Sequence, residues 1–316
     1  MNSNPKRLLV AVDSSDYSLE TVRYVANLFP PESMEVVLFS VMSKVPESYR
    51  DVEASPFFNP ELLRAKVWAA QQEKAMKEFM EKARGVLSEY RIPEKAVTIK
   101  IGELKEGVAR DILAESKQGY DAVVVGRRGL NPVSGLILGS VSNKLVSKMI
   151  HAPIAVVGGV SRSKKILLAI DNSEGAMRAV DYVGRVFSGA DVKLTLLHVI
   201  RSFDYLDPAL NQDLIPLFKA EIEVDLRRAE EAIKTTFKNA TVNLENAGID
   251  RGGITQEIVE GVGSRSEAIV NMATESGYGT IVLGRMGISK VEQFLMGRVS
   301  QKVIHLAKAA AVWVVN

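Results

Sequence analysis

The sequence predicts two tandem α/β domains, each an open, mostly parallel five-stranded sheet with helices on both faces. Three observations predict this fold: an internal repeat along the whole chain, short apolar runs that alternate with helical patterns, and a length of 316 residues. At roughly 150 residues per domain, that length corresponds to two domains. Strands that alternate with helices are joined by βαβ connections, which make the strands parallel and cover both faces of the sheet.

The internal repeat has a constant shift of 158 residues. Residues 6–13 align with residues 164–171, and both segments contain a basic pair, five apolar residues and an aspartate. Further matched pairs are Tyr24 with Tyr182, Phe29 with Phe187, Val41 with Val199, and Gly126, Gly129 and Gly139 with Gly284, Gly287 and Gly297. A duplication therefore predicts a first domain over residues 1–158 and a second over 163–316, which we call copy one and copy two.

Each copy has the same predicted order of elements. In copy one, strands are expected at 8–12, 36–41, 97–101, 122–125 and 154–157, and helices after Asp13 and at 61–90, 108–116 and 140–150. Prolines interrupt the chain between residues 43 and 60, and the counterpart at 201–216 differs in sequence. Long irregular loops often act as lids or contact surfaces, so we expect the two copies to have different lids or partners.

Composition excludes several classes of function. Lys and Arg number 40 against 38 Asp and Glu, so the chain lacks the basic excess typical of nucleic-acid binding. The absence of cysteine excludes disulfides, thiolate zinc sites and cysteine nucleophiles. The first apolar run, residues 8–12, is too short for a signal sequence, and no run reaches the ~20 residues of a membrane span. We therefore expect a cytoplasmic protein that binds no nucleic acid.

A glycine-rich segment follows the fourth strand of copy one. Gly126 and Gly129 come directly after that apolar run, and Gly139 opens the next helix, with the spacing G-x2-G-x9-G-S. Glycine lets the backbone approach a ligand closely, successive N–H groups bind anions, and a helix N-terminus adds unpaired donors and a positive dipole end. The segment therefore predicts a phosphate site. The hydroxyl and main-chain donors that it would supply belong to Ser140, Val141 and Ser142.

Copy two repeats this glycine spacing but changes the residue that follows it. Gly284, Gly287 and Gly297 recur, Ser300 is kept, and Arg298 replaces the serine at the helix start. Arginine brings a charge that suits phosphate, but its bulk could fill the space that phosphates need. The second site is thus either altered or degenerate. We favour altered or weakened binding and expect copy one to be the stronger site.

These features resemble the universal stress protein family, specifically its ATP-binding branch, over essentially the whole chain and twice. The resemblance rests on an aspartate after the first strand, on the glycine loop, and on the closing Ala-Pro-Ile-Ala-Val-Val strand at 152–157. It implies a Rossmann-like fold of the adenine nucleotide alpha hydrolase type. It also implies that the aspartate lies near the ribose, that the residue ending the second strand binds adenine through its backbone, and that the loop holds the phosphates.

By position, the resemblance assigns nucleotide contacts in both copies. In copy one they fall on Asp13, Val41, Gly126, Gly129, Gly139, Ser140, Val141 and Ser142. In copy two they fall on Asp171, Val199, Gly284, Gly287, Gly297, Arg298 and Ser300. The implied ligand is ATP, with Mg²⁺ or Mn²⁺ bridging its phosphates.

Other residues have alternative interpretations. Asp13 either contacts the ligand or only caps the following helix. Arg127 and Arg128 lie inside the loop, and one of them, for which we take Arg128, is a candidate phosphate clamp. His198 is expected to be buried or to line the cleft. Trp68 and Trp313 are expected to pack in the core, with contact to a partner surface as the alternative for Trp313, which lies in the last strand.

The sequence favours binding over fast catalysis. It contains no G-x4-G-K-[ST] loop, no paired carboxylates and no nucleophile–base motif. We therefore expect a stress-response protein regulated by an adenine nucleotide, acting on an unidentified protein partner. The alternatives are a slow ATPase or nucleotide-dependent transferase that uses the same pocket, and an interaction scaffold with vestigial sites.

The closing strands, 154–157 and 311–315, are candidate sheet edges, which invite pairing. In the resembled family these strands pair between subunits. We therefore expect the two copies to pair through them as an internal pseudo-dimer, and two chains to associate further as a homodimer.

Overall fold

The computed structural model describes residues 5–42, 60–129, 138–159, 162–201, 215–287 and 296–316. The chain folds as two compact units, Met1–Ala152 and Pro153–Asn316. Most of the two irregular stretches that the sequence marks as lids or contact surfaces lies outside the described residues. The expectation of different lids therefore stays a prediction.

The first unit is a parallel sheet flanked by helices. Its described strands are β1 (Lys6–Ala11), β2 (Met34–Met42), β3 (Val97–Glu103) and β4 (Ala122–Gly126). They lie in the order β3-β2-β1-β4, and every neighbouring pair is parallel. The helices are α1 (Asp16–Leu28), α2 (Pro60–Glu89), α3 (Val108–Glu115) and α4 (Ser140–Lys148). Helix α1 packs against α2, and α3 packs against α4.

The first strand and helix show why these residues adopt these elements. Leu8, Leu9 and Val10 of β1 are fully buried, as expected for a parallel strand covered on both faces. Helix α1 begins after Ser15, whose side chain accepts a hydrogen bond from the backbone N–H of Ser18. Two prolines follow Phe29 and prevent the helix from continuing.

The second unit repeats this arrangement and includes two further described strands. Its described strands are β5 (Ile154–Val157), β6 (Lys165–Ala169), β7 (Lys193–Arg201), β8 (Ile254–Val262), β9 (Thr280–Gly284) and β10 (Ala311–Val315). Strands β8, β7, β6, β9 and β10 are neighbours in that order and parallel. The helices are α5 (Glu174–Phe187), α6 (Ile215–Asn246), α7 (Arg265–Glu275) and α8 (Arg298–Leu306).

Strand β5 pairs with β10 in antiparallel orientation, with Ala155 opposite Trp313. These are the two closing strands that the sequence expects to pair. Trp313 is fully buried, and its ring lies 5.7 Å from that of Phe187, edge to face. The expected core position of Trp313 is therefore confirmed. In this pairing, β5 and β10 each cover one edge of the other strand.

The two long helices are buried only in part. In α6 the residues Ile233, Phe237, Ala240 and Leu244 are at most 2% exposed, so this part of the predicted apolar face packs in the core. Trp68 of α2, in contrast, is 51% exposed. The expectation that Trp68 packs in the core was wrong, because this part of α2 is exposed: its neighbours Leu63 and Val67 are each 49% exposed. No helix in the described part of the chain is long and apolar enough to cross a membrane.

The strand order places a topological switch point in each unit. After β1 the chain passes to β2 on one side, and it later returns to β4 on the other side. Ligands bind at such points, beyond the C-terminal ends of the strands. Asp13 follows β1 and Gly126 ends β4, while Asp171 and Gly284 occupy the same places at β6 and β9. The fold therefore positions the predicted site residues at the switch point of each unit.

Candidate functional site

The first junction, which we define as residues 126–129 and 139–142, is held together by two hydrogen bonds. The backbone N–H of Gly139 donates to the carbonyl of Arg127 over 2.8 Å. The hydroxyl of Ser142 donates to the carbonyl of Gly126 over 2.7 Å. Ser142 is 6% exposed, so its hydroxyl fastens α4 to the end of β4. The sequence predicts a phosphate contact for this hydroxyl, whereas the structure uses it within the protein and leaves only the backbone N–H of Ser142 for a phosphate.

The start of α4 has no side-chain cap. Its N-cap residue is Gly139, and the first helical bond runs from the N–H of Asn143 to the carbonyl of Gly139 over 2.9 Å. Among the described residues, no acceptor meets the N–H groups of Ser140, Val141 or Ser142. Unpaired donors and the positive dipole end therefore coincide at this point, which favours an anion.

Asp13 connects the loop to the start of α1. Its Oδ1 accepts from the N–H of Ser15 over 3.1 Å, from the hydroxyl of Ser15, and from the hydroxyl of Ser18 over 2.7 Å. The N-cap of α1 is Ser15, so Asp13 does not itself cap the helix. Its Oδ2 lies against Gly129, where any Cβ would collide with it. The structure thus brings the predicted aspartate and the predicted glycine into contact.

The two arginines of the first junction differ in exposure. Arg128 is exposed, whereas Arg127 is 6% exposed. Burial, together with the charge of Arg128, lowers the pKa of Arg127 to about 10. Arg128 is therefore the cation that faces solvent at this junction. Val41 lies near the end of β2, paired with Gly102 of β3.

The second junction, residues 284–287 and 297–300, has the same skeleton. The N–H of Gly297 donates to the carbonyl of Arg285 over 2.8 Å, and the Ser300 hydroxyl donates to the carbonyl of Gly284 over 2.8 Å. Gly297 is an N-cap without a side chain. Within the described ranges, the N–H groups at the start of α8, residues 298–300, meet no acceptor. A Cβ at Gly287 would lie 2.7 Å from Oδ2 of Asp171.

A cavity of about 420 Å³ opens above the second junction. This volume lies in the range of small-molecule sites. The cavity is lined by every residue that the sequence assigned to the copy-two site, namely Asp171, Val199, Gly284, Gly287, Gly297, Arg298 and Ser300. Arg298 is exposed and lines the cavity, which stays open with the arginine in place.

Comparison with known proteins identifies the family. The model of the universal stress protein family matches residues 4–157 and 162–316. The chain belongs to the universal stress protein family. Its duplicated sequence makes it a tandem universal stress protein, with one family domain matched in each copy.

Two curated relatives are similar to parts of the chain. A universal stress protein of Mycolicibacterium smegmatis is 30% identical over 197 residues, which cover 61% of this chain and 63% of that protein. Universal stress protein YxiE of Bacillus subtilis is 28% identical over 143 residues, which cover 45% of this chain and 93% of that protein. The matched region thus spans less than two thirds of the mycobacterial relative.

A solved structure supports the fold over the whole chain. The crystal structure of a universal stress protein from Archaeoglobus fulgidus superposes with a TM-score of 0.53 at 21% identity, covering 98% of this chain and 96% of that one. At this identity the likeness shows the shared fold alone.

Two further residues with polar side chains line the cavity of this tandem universal stress protein. His198 places Nδ1 2.8 Å from the carbonyl of Ile170, so Nδ1 donates to that carbonyl. Burial lowers the pKa of His198, which keeps its ring neutral at neutral pH. Sequence reasoning expected His198 to be buried or to line the cleft, and the structure shows it half-buried in the lining.

Arg265 is the residue that sequence reasoning missed. It begins α7, and its Nε donates to the carbonyl of Val199 over 3.2 Å. The signal that could have found it is its place directly after Ser264, the N-cap of the helix that follows β8. Helix starts at the C-terminal edge of a parallel sheet face the ligand crevice.

Proposed function

We propose that this tandem universal stress protein binds ATP, or a related adenine nucleotide, at the first junction, and a nucleotide in an altered pose at the second. We further propose that it acts as a stress-response regulator rather than as a fast enzyme. The observation that carries the proposal is the uncapped helix start beside a glycine-lined strand end, present in both units. Such a start supplies donors that a phosphate group accepts.

The residues of the first junction fit the chemistry of a nucleotide. The three N–H groups at residues 140–142 suit the phosphate oxygens. The glycines let the strand end, Asp13 and the helix start pack closely enough to shape the junction, because a Cβ at these positions would crowd protein atoms. The carboxylate of Asp13 lies beside the glycine loop, where ribose hydroxyls could donate to it. Among the described residues, no group of three or more His, Asp or Glu side chains could hold a metal ion. The phosphates would therefore supply most ligands of the Mg²⁺ or Mn²⁺ that accompanies them.

Binding alone can provide regulation. A ligand that binds only the folded state stabilises that state by about 2.7 kcal/mol when its concentration is 100 times Kd. The stability of the nucleotide-bound unit would therefore follow the nucleotide concentration. A protein partner that recognises the nucleotide-bound unit would detect that change.

Charge reversal at the helix start tests the proposal. Ser140→Asp places a carboxylate where α4 begins, which suits the helix dipole but repels phosphate. We expect ATP binding to the first site, measured by isothermal titration calorimetry with Mg²⁺, to weaken about 100-fold. Ser140→Asn is the matched uncharged control and should stay within about threefold of the original affinity. Arg298→Asp and Arg298→Asn are the corresponding pair for the second site.

Two results would contradict the proposal. If the unmodified protein bound no nucleotide, or if the Asp variants bound it as well as the Asn controls, the junctions would not be phosphate sites. Phosphate release at excess ATP tests the regulatory role separately. A turnover of several per second, on the order of ordinary enzymes, would identify an ATPase instead.

A further inference from the structure

The cavity of the second unit is bordered by an arginine where the second strand of that copy ends. We propose that the second nucleotide site reads a guanine-type base, with Arg265 donating to the O6 and N7 edge. The inference rests on the proposed function, because it names the base of a nucleotide whose phosphates lie at the second junction.

Arg265 is held in place by the main chain. Its Nε donates to the carbonyl of Val199 near the end of β7, so one of its five N–H donors is used by the protein. Within the described residues, its two terminal amino groups meet no acceptor. Arg265 also lines the cavity. An anchored guanidinium with two terminal amino donors thus borders the cavity.

This anchoring changes the polarity of the cavity at that end. The carbonyl of Val199 accepts from Nε of Arg265, which holds the guanidinium beside this carbonyl. The cavity therefore offers charged N–H donors next to a backbone acceptor that is already engaged by one hydrogen bond. A base with acceptors on its edge suits these donors, whereas an amino group would face them.

His198 adds an acceptor beside these donors. Its Nδ1–H is donated to the carbonyl of Ile170, so the neutral ring has Nε2 as an acceptor. Among the described residues, no donor meets Nε2. Burial and the nearby charge of Arg265 lower the pKa of His198, so the ring stays neutral and Nε2 stays an acceptor.

Two donors from Arg265 and one acceptor from His198 match guanine better than adenine. Around its ring guanine presents the acceptors N7 and O6 and then the donor N1–H, and arginine pairs bidentately with N7 and O6. Adenine presents N7, then an amino donor, then the acceptor N1. The amino group of adenine would oppose an arginine donor, and its N1 would oppose Nε2 of His198.

At the corresponding helix start, the first unit has no arginine like Arg265. Helix α3 begins with Val108 after the N-cap Gly107, and neither residue has a donor side chain. The nearest arginine along α3, Arg110, lies 3.9 Å from the carboxylate of Glu106. The two sites therefore differ in the groups that would read a base, and the first site provides an internal comparison.

The test uses the full chain with the first site blocked by Ser140→Asp. Calorimetric titrations with Mg²⁺ and ATP, GTP or ITP then report the second site alone. We expect GTP and ITP to bind about tenfold more tightly than ATP, since ITP shares O6 and N7 with GTP. Adding Arg265→Met, which keeps an unbranched apolar side chain without donors, should reduce the ratio to within about twofold. Arg265→Lys should restore only part of it, because lysine cannot donate bidentately.

The outcomes distinguish the assignment of the base from the proposed nucleotide binding on which it rests. Equal or better binding of ATP, or an unchanged ratio in Arg265→Met, would overturn the base assignment while nucleotide binding stands. If ITP bound as weakly as ATP while GTP bound well, the 2-amino group of guanine would be recognised, and the role of Arg265 would be wrong. If a folded Ser140→Asp chain bound none of the three, the proposed function would fail at the second junction, and this inference with it.

Discussion

The two junctions share their main-chain bonds and differ in the side chains around them. In each, the N–H of the capping glycine donates to an arginine carbonyl over 2.8 Å, and a buried serine hydroxyl donates to the strand-end glycine. At the helix start, however, Ser140 corresponds to Arg298, and in the loop Arg128 corresponds to Met286. Duplication has thus preserved the bonds that shape the backbone, while the groups that would meet a ligand have diverged.

The units also differ in how closely the first helix approaches the loop. A Cβ at Gly284 would lie 2.7 Å from the carbonyl oxygen of Gly175, the second residue of α5. In the first unit the corresponding distance, from a Cβ at Gly126 to the carbonyl oxygen of Tyr17, is 3.8 Å. Gly175 itself touches the carbonyl of Met286, where a side chain would collide. The small residue at 175 permits a closer packing that Tyr17 does not.

The largest effect is expected from a substitution that disturbs the closer packing in the second unit. Gly284→Ala forces a methyl group onto the backbone of Gly175 and should cost the second unit about 3 kcal/mol of unfolding free energy. Gly126→Ala meets the Thr21 hydroxyl at 3.1 Å and the Arg128 carbonyl at 3.2 Å, so small shifts can accommodate it. We expect a loss of about 1 kcal/mol or less there.

Urea unfolding measures both variants. In a Trp68→Phe background the tryptophan fluorescence comes from Trp313 alone, which is buried in the second unit and follows that unit, and circular dichroism follows the whole chain. Equal losses for the two variants would mean that the closer approach of α5 has no energetic consequence.

A smaller effect distinguishes the units at alkaline pH. In the first unit the Tyr120 hydroxyl donates to the Glu115 carboxylate over 2.6 Å, whereas Tyr278 donates to the Thr195 hydroxyl over 2.8 Å. Burial, followed by the interaction with Glu115, raises the pKa of Tyr120 from 10.0 to about 12. The stabilisation that the protonated Tyr120 provides is complete below the pKa of this tyrosine in the unfolded state. It is lost as pH rises through the pKa of Tyr120 in the folded state.

Denaturation of Tyr120→Phe at several pH values checks this. The variant should be less stable by about 1 kcal/mol at neutral pH and should lose less stability than the original protein between pH 10.0 and about 12. Tyr278→Phe is the matched control for removal of a tyrosine hydroxyl. An unchanged alkaline loss in Tyr120→Phe would exclude Tyr120 as its source.

The smallest expected effect lies in the second unit at acid pH. Burial lowers the folded-state pKa of His198 below 6.5, so the unfolded state binds more protons and stability falls as pH drops below about 6.5. His198→Asn keeps a donor for the Ile170 carbonyl and removes the titration. The variant should therefore lose less stability on acidification, as followed by Trp313 fluorescence. Parallel acid profiles for the two proteins would contradict the assignment.

Much of the fold could be predicted because its signals are local. The apolar runs of β1 and β4, the serine before α1 and the glycine spacing are visible within a few residues, and the repeat shows each signal twice. These signals predicted the order of strands and helices, and for copy two they predicted seven residues that one cavity brings together.

The remaining features depend on residues that are distant along the chain. Arg265 and Val199 are 66 positions apart, and only the packing of α7 beside β7 brings them together. The hydroxyls of Ser142 and Ser300 each bond a carbonyl 16 positions away, so their inward direction was not visible in the pattern. Trp68 has the apolar character of a core residue, yet its place on α2 leaves it exposed.

From the amino-acid order alone follow a duplicated α/β chain and, in each copy, a glycine-lined turn before a helix, because backbone preferences act over short distances. Tertiary structure decided which donors remain available in that turn and which side chains border the second cavity. The reason is physical: a hydrogen-bonding group is available to a ligand only where no neighbour in the folded protein has already satisfied it.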